Sequence, residues 1–268
     1  MQIYQAIILG IIQGLTEFLP ISSSAHLNLF PWLLNWETMP DSFDVALHIG
    51  TLLAIIIFFF KDWIKLIVGG YKLAFKKEKT TDGKIFWYLV FATIPAGLLS
   101  LILDKVSQKL FEKSLDLEML IIAITLIVMG IVLYVVDKKA KEKTKYEDIS
   151  LKQSLAIGTS QALAAAFPGV SRSGITMTVA RALGIDRESA AKYSFLLATP
   201  ITAAAVIFDF KHFILTDLSL WIGILASFIV GLLVIKFLLE FLQRGSFKAF
   251  AIYRIILGLG VIAVILLK

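Results

Sequence analysis

Apolar residues gather in five long runs, 85–103, 119–136, 190–208, 218–239 and 250–267. Each approaches the roughly 20 residues needed to cross hydrocarbon as a helix. A sixth run, 46–60, is shorter and carries His48; it predicts a span that is tilted, extended past Lys61, or packed among neighbours. Two further stretches, 4–36 and 151–183, are apolar but interrupted by FLPISSS and FPGVSRSG. Neither half of either stretch is long enough to cross, so both read as re-entrant hairpins.

Composition agrees with this pattern. Hydrophobic residues make up 58% of the 268 and charged residues only 17%, beyond the apolar share of a soluble domain. The chain has no cysteine, which excludes thiolate metal sites, disulfides and cysteine nucleophiles. Its net charge of +6 falls on lysines between apolar runs rather than on a basic, aromatic-interleaved face, so no nucleic-acid partner is expected. The opening MQIYQAIILGIIQGLTEF lacks a basic n-region and a small-residue cleavage site, and reads as retained and structural.

Charge also orients the spans. Segments 61–84, 137–152, 181–192 and 243–248 hold eighteen Lys and Arg residues, whereas 36–45, 104–118 and 209–217 hold four; the first set is expected to be cytoplasmic. The sides alternate only if each hairpin enters and leaves by one face, the first from outside and the second from the cytoplasm. The expected fold is thus an all-α integral membrane protein with an inverted-topology repeat, each half one re-entrant helical hairpin plus three transmembrane helices. The halves are 1–136 and 153–268, joined by a charged cytoplasmic linker at 137–152. Gln13-x6-Pro20 and Gln161-x6-Pro168 repeat at an offset of 148 positions; elsewhere the halves align poorly.

The chemistry lies in the interruptions. Gln13 and Glu17, four apart, share a helix face, and Gly10 and Gly14 admit a neighbouring backbone. Pro20 ends that helix and puts Ser22, Ser23, Ser24 and His26 on irregular backbone at membrane depth, tolerated only in a protein interior or wet cavity. In the second interruption Pro168-Gly169 ends one helix and Ser171-Arg172-Ser173 opens the next. An arginine there needs an anionic partner, and its planar fork suits phosphate. Glu17 beside a phosphate implies a hard divalent cation between them, Mg²⁺ or Ca²⁺. His26 is a candidate nucleophile or general base for Ser23 or water, and the sequence leaves all three open. Glu17 and Arg172 also admit a plainer reading as a structural ion pair, and Ser22 and Ser24 as helix caps. His48 and His212 read as histidines without a role in chemistry. Arg181, Arg187 and Lys192 mark a cytoplasmic end, and Trp32, Trp36, Trp63, Trp87 and Trp221 read as interface anchors.

QGLTEFLPISSSAH and PGVSRSGIT resemble the two signature segments of the bacterial undecaprenyl pyrophosphate phosphatase family, also called the bacitracin-resistance protein family, and the resemblance runs nearly the full chain. It implies metal-dependent removal of the terminal phosphate from a C55 prenyl diphosphate in the bacterial plasma membrane. The lipid carrier is thereby recycled for peptidoglycan synthesis. Carried over residue by residue, it implies catalytic roles for Glu17, Ser23, His26 and Arg172. Phosphate binding falls to Ser22, Ser171, Arg172, Ser173 and Thr176, and metal binding to Gln13 and Glu17. Gln13 stands where the family often has Glu, and Ala25 where Gly is common before the histidine. The partners expected are the prenyl diphosphate and membrane lipid, with a homo-oligomer compatible with both, and the site is expected to open outward. A transporter or flippase of a phosphorylated prenyl lipid is the rival reading, because broken helices in inverted repeats are the usual transporter plan. A non-catalytic scaffold leaves the buried Glu, His and Arg unexplained.

Overall fold

The computed structural model describes residues 1–37, 40–111 and 115–267. The expected outer segments 36–45 and 104–118 thus lie partly outside the described residues. Within them the chain is helical, with no strand beyond one isolated bridge between Thr144 and Ile185. Helices α1 (Ile3–Thr16) and α2 (Ser23–Leu34) flank the first interruption. They are followed by α3 (Asp41–Phe58), α4 (Phe60–Tyr71), α5 (Thr81–Phe111) and α6 (Leu115–Lys139). Helices α7 (Leu151–Ser160), α8 (Ala162–Ala166) and α9 (Arg172–Ala182) flank the second interruption, and α10 (Arg187–Asp209), α11 (Leu218–Leu242) and α12 (Lys248–Leu267) complete the chain.

Five of these helices, α5, α6, α10, α11 and α12, are long and apolar enough to cross a membrane. Their exposed faces carry Leu98, Ile102, Ile207, Leu233 and Ile256, which is where hydrocarbon replaces water. The protein is therefore a multi-pass helical membrane protein. The sixth run behaves differently from a simple span. It is helical through Phe58 and then turns by 75° into α4, so the two helices count as one span only as a bent pair. With 14 residues, α1 extends only about 21 Å, short of the roughly 30 Å of hydrocarbon.

Small residues set the packing, as expected where lipid supplies no hydrophobic drive between helices. A Cβ on Gly10 would lie 2.5 Å from the Gly223 carbonyl oxygen, and one on Gly14 2.7 Å from that of Ser227, so α1 lies directly on α11. Helices α6 and α12 meet in the same way through Gly130 against Ala251 and Gly258 against Ala123. Trp32, expected at an interface, is instead buried beside Leu29, Met119 and Ile122.

The basic residues at 181–192 do more than mark a side. Asp137 is buried and accepts from Arg181 Nε at 2.8 Å, Arg187 Nε at 2.9 Å and the Phe247 amide at 3.2 Å. Lys192 Nζ donates to Asp62 at 2.7 Å. A buried charge survives when paired and hydrogen-bonded, and here the pairing ties the end of α6 to α9, α10 and α12.

Candidate active site

Helix α1 stops because Pro20 has no amide to donate and restricts the residue before it. The chain re-enters helix through Ser22, whose backbone takes φ +77° and whose Oγ accepts the Ala25 amide at 3.3 Å. The second interruption uses the same device. Ser171 has φ +71°, and its Oγ accepts the Gly174 amide at 3.0 Å. Positive φ is rare for a residue with a Cβ, so two serine caps of this kind are costly turns held by their surroundings. Gly169, at φ +93° and with no room for a Cβ against Ile122 and Thr125 of α6, supplies the extra residue that the second interruption has over the first.

These caps make Ser23 and Arg172 the first residues of α2 and α9, and both side chains reach Glu17. Ser23 Oγ donates to Glu17 Oε2 at 2.7 Å, and Gln13 Nε2 donates to the same oxygen at 3.1 Å. On the other oxygen, Oε1, Glu17 pairs with Arg172 Nη2. Arg172 Nη1 donates to Thr202 Oγ1 of α10, which fixes the guanidinium from the far side. The Glu17 side chain is 5% exposed and that of Arg172 is 22% exposed, so the pair is buried on one side and open on the other. The opening is a cavity of about 290 Å³, lined by Glu17, Ser23, Ser24, Ser171, Arg172 and Gln161 among others.

His48, assigned no role from the sequence, stands at this site. Its Nδ1 donates to the Asp44 carbonyl at 2.8 Å, which turns Nε2 toward Glu17 Oε2 at 3.5 Å. The sequence gives no sign of this, because His48 lies 31 positions from Glu17, in a short apolar run that reads as a tilted, extended or packed span. Arg254 is fully buried on α12. It donates to the carbonyls of Pro20 at 3.1 Å, Gly169 at 2.9 Å and Val170 at 3.0 Å. One guanidinium thus takes up carbonyls that both interruptions leave without helical partners. The only signal in the sequence was an arginine inside an apolar run, a functional flag by default.

The remaining expected residues are placed less centrally. His26 is buried; its Nδ1 donates to the Ser22 carbonyl at 2.7 Å, and its Nε2 lies 2.7 Å from the Tyr253 hydroxyl. With Nδ1 protonated, Nε2 accepts from that hydroxyl, and the ring does not line the cavity. Thr176 points back along α9, donating to the Arg172 carbonyl at 2.9 Å and meeting Ser194 Oγ at 2.6 Å. Ser173 Oγ donates to the Leu19 carbonyl at 3.1 Å and so ties the two interruptions together. Ser22 serves as the cap already described.

Gln13 Oε1 is buried and has no hydrogen-bond partner among the described residues, on the helix face that carries Glu17. A carboxylate and an amide oxygen are hard donors of the kind Mg²⁺ and Ca²⁺ take, and a cation bound to substrate phosphates needs few protein ligands. The residues present therefore fit a hard divalent cation that shares its coordination with phosphate oxygens. Among the described residues no group of three His, Asp or Glu side chains gathers that would hold one unaided.

Broken helices that meet at a buried carboxylate and a partly buried hydroxyl and guanidinium inside a bundle of membrane helices define the class: a polytopic membrane protein with an intramembrane polar site. The comparison with known proteins is then specific. Residues 6–260 match the family model of the bacitracin resistance protein BacA, and the chain belongs to that family. An undecaprenyl-diphosphatase of Pelotomaculum thermopropionicum is 47% identical over 264 residues, covering 98% of this chain and 96% of its own length. Those of Caldicellulosiruptor bescii, at 44% over 272 residues, and Moorella thermoacetica, at 42% over 270, cover this chain completely and 99% and 100% of their own lengths.

Proposed function

We propose that this chain hydrolyses undecaprenyl diphosphate to undecaprenyl phosphate and inorganic phosphate, recycling the carrier for peptidoglycan synthesis and conferring bacitracin resistance. The observation that carries the reading is that Ser23 Oγ donates to one oxygen of Glu17 while Arg172 holds the other. A hydroxyl, its base and a phosphate clamp thus share one cavity.

Arg172 exchanges part of its contact with Glu17 for the terminal phosphate and binds it through two parallel N–H groups. The first amides of α2 and α9 add donors without intrahelical partners. Glu17 accepts the proton of Ser23 as its Oγ attacks the terminal phosphorus. The Oγ–P bond forms as the bond from phosphorus to the bridging oxygen breaks, and undecaprenyl phosphate leaves. Water then attacks the phosphoserine; the Oγ–P bond breaks as Glu17 returns its proton to Ser23 Oγ, the oxygen of the water and one of its protons leave with the phosphate, and the other proton passes to solvent. Glu17 and Gln13 are the residues that would hold a divalent cation, which when bound neutralises charge on the phosphate oxygens. His26 is a positioning residue, fixed between Ser22 and Tyr253, and His48 orients Glu17.

The inverted repeat, with halves 1–136 and 153–268 about the linker 137–152, has support in the packing. Gly10 packs α1 on α11, and Gly158, 148 positions on, packs α7 on α5 at Ala92; the two contacts correspond when the halves are exchanged. An outward mouth is supported by the cavity wall. Ser100 of α5 and Thr202 and Ala205 of α10 lie in the halves of those helices remote from the Lys-rich segment 61–84 and from Arg187.

The test is phosphate release from a prenyl diphosphate by the purified protein, with and without a chelator and with Ser23→Ala as control. Turnover that needs a divalent cation and vanishes in Ser23→Ala is expected. Binding without release would favour a transporter and overturn the reading.

A further inference from the structure

Helix α4 lies across the bundle rather than through it, and both of its ends meet the first two turns of a spanning helix. At one end Asp62 accepts from Lys192 Nζ of α10 at 2.7 Å. At the other, Gly69 and Gly70 lie against Gly83 and Phe86 of α5 with no room for a Cβ, and Trp87 Nε1 donates to the Gly70 carbonyl at 3.1 Å. Helices α5 and α10 begin at one level, because Ser154 Oγ donates to the Tyr88 carbonyl of the first and meets the Tyr193 hydroxyl of the second. A helix fixed at both ends to one level of the bundle runs along the membrane plane. The 75° turn out of α3 is what lays it there.

The sequence of α4 and the turn that continues it divides the helix surface into three stripes, at about 100° per residue. Leu66, Gly69 and Gly70 are buried and face the protein. Phe60, Ile64, Ile67, Val68, Tyr71 and Phe75 fall on a second stripe, directed away from the bundle, and each is at least 48% exposed. Lys61, Lys65, Lys72 and Lys76 recur at the same helical spacing along one flank of that apolar stripe. The two acids nearby are already taken, Asp62 by Lys192 and Glu78 by Lys72 at 3.5 Å. Among the described residues Lys61, Lys65 and Lys76 have no carboxylate partner. With its apolar stripe in hydrocarbon, the helix holds this row of cations at the depth of the headgroup phosphates.

We infer that the lysine row of α4 is a docking surface for the headgroups of anionic phospholipids in the leaflet expected to be cytoplasmic. A zwitterionic headgroup brings no net charge to such a row, whereas a lipid with net negative charge is drawn to each lysine at the surface. Free phosphate lacks the acyl chains that the adjoining apolar stripe meets, so charge and hydrocarbon together select a lipid. The surface stands apart from the polar site, and the inference does not depend on the hydrolytic reading.

Replacing Ile67 with cysteine in this cysteine-free chain puts one fluorophore on the apolar stripe of the full-length protein. Vesicles contain equal parts of phosphatidylglycerol and phosphatidylcholine, with bromine on the acyl chains of one or of the other, so that only the identity of the quenching lipid changes. Brominated phosphatidylglycerol is expected to quench the label at least roughly threefold more strongly than brominated phosphatidylcholine at low salt. The ratio should fall toward one at high salt, where exposed charges are screened, and in protein carrying Lys61→Gln, Lys65→Gln, Lys72→Gln and Lys76→Gln together. A label on Ile207→Cys, at the far end of α10 and 74% exposed in the parent side chain, should show a ratio near one throughout. A ratio near one at position 67 in low salt, a preference that survives the four substitutions, or an equal preference at position 207 would each overturn the inference. Absence of quenching by either lipid would put α4 outside the bilayer and overturn it as well. Should the fourfold variant fail to insert, the salt series on the unsubstituted lysines decides, since a preference indifferent to salt is not electrostatic.

Discussion

Arg254 and Pro20 stand 234 positions apart, and the guanidinium of the one donates to the carbonyl of the other at 3.1 Å. The same side chain takes the Gly169 and Val170 carbonyls, so the last helix fastens both interruptions to each other. Arg254→Met keeps volume and removes every donor, leaving three buried carbonyls unpaired. A loss of roughly 3 kcal/mol is expected, read as a lower melting temperature in detergent, with turnover falling because Ser23 and Arg172 lose their register. Arg254→Lys, which cannot reach two interruptions at once, should recover little of either. Wild-type stability in Arg254→Met would reduce the contact to a bystander.

At the site itself, Arg172→Lys preserves charge and loses the planar fork. Turnover is expected to fall at least roughly tenfold in protein that still inserts and folds. Glu17→Gln should abolish both activity and its response to added cation, whereas Gln13→Glu should be tolerated. An active Glu17→Gln protein would end the assignment of Glu17 as base and ligand.

His48 and His212 offer a controlled comparison, since one faces Glu17 at 3.5 Å and the other pairs with Asp209 on an exposed turn. His48→Gln should lower kcat about tenfold or more and leave melting temperature nearly unchanged; His212→Gln should leave both unchanged. Equal effects from the two would show that proximity to Glu17 carries no function.

Sidedness can be read twice. Single cysteines in this cysteine-free chain at Lys77 or Lys141 are expected to react with impermeant thiol reagents only after lysis, and one at Asp116 in intact cells. Intact spheroplasts supplied with a short, water-soluble prenyl diphosphate should release phosphate into the medium. Activity confined to permeabilised cells would place the mouth on the cytoplasmic side.

What the sequence made legible follows from how local each signal is. The five long spans are properties of uninterrupted windows, and both interruptions were visible because proline and clustered serines break a helix wherever they occur. The meeting of Glu17 with Arg172 was also foreseeable, because two lone charges at membrane depth need one another. What escaped was set by packing between distant elements. His48 reaches Glu17 only because α3 leans on α11 and α10. The turn after Phe58 is a tertiary outcome inside an apolar run that carries no breaker. His26, three residues from Ser23, looked like its partner; α2 turns the ring instead toward Tyr253 on a helix more than two hundred positions away.

The register of 148 positions that pairs Gln13 with Gln161 and Pro20 with Pro168 also pairs Glu17 with Ala165. Ala165 lines the cavity that ends on Glu17 and Arg172. A carboxylate at that position would set a second negative charge on the wall of the same cavity. The methyl group leaves that wall neutral, so Glu17 is the one carboxylate among the residues that line the cavity, and the Arg172 guanidinium is not shared between two acids.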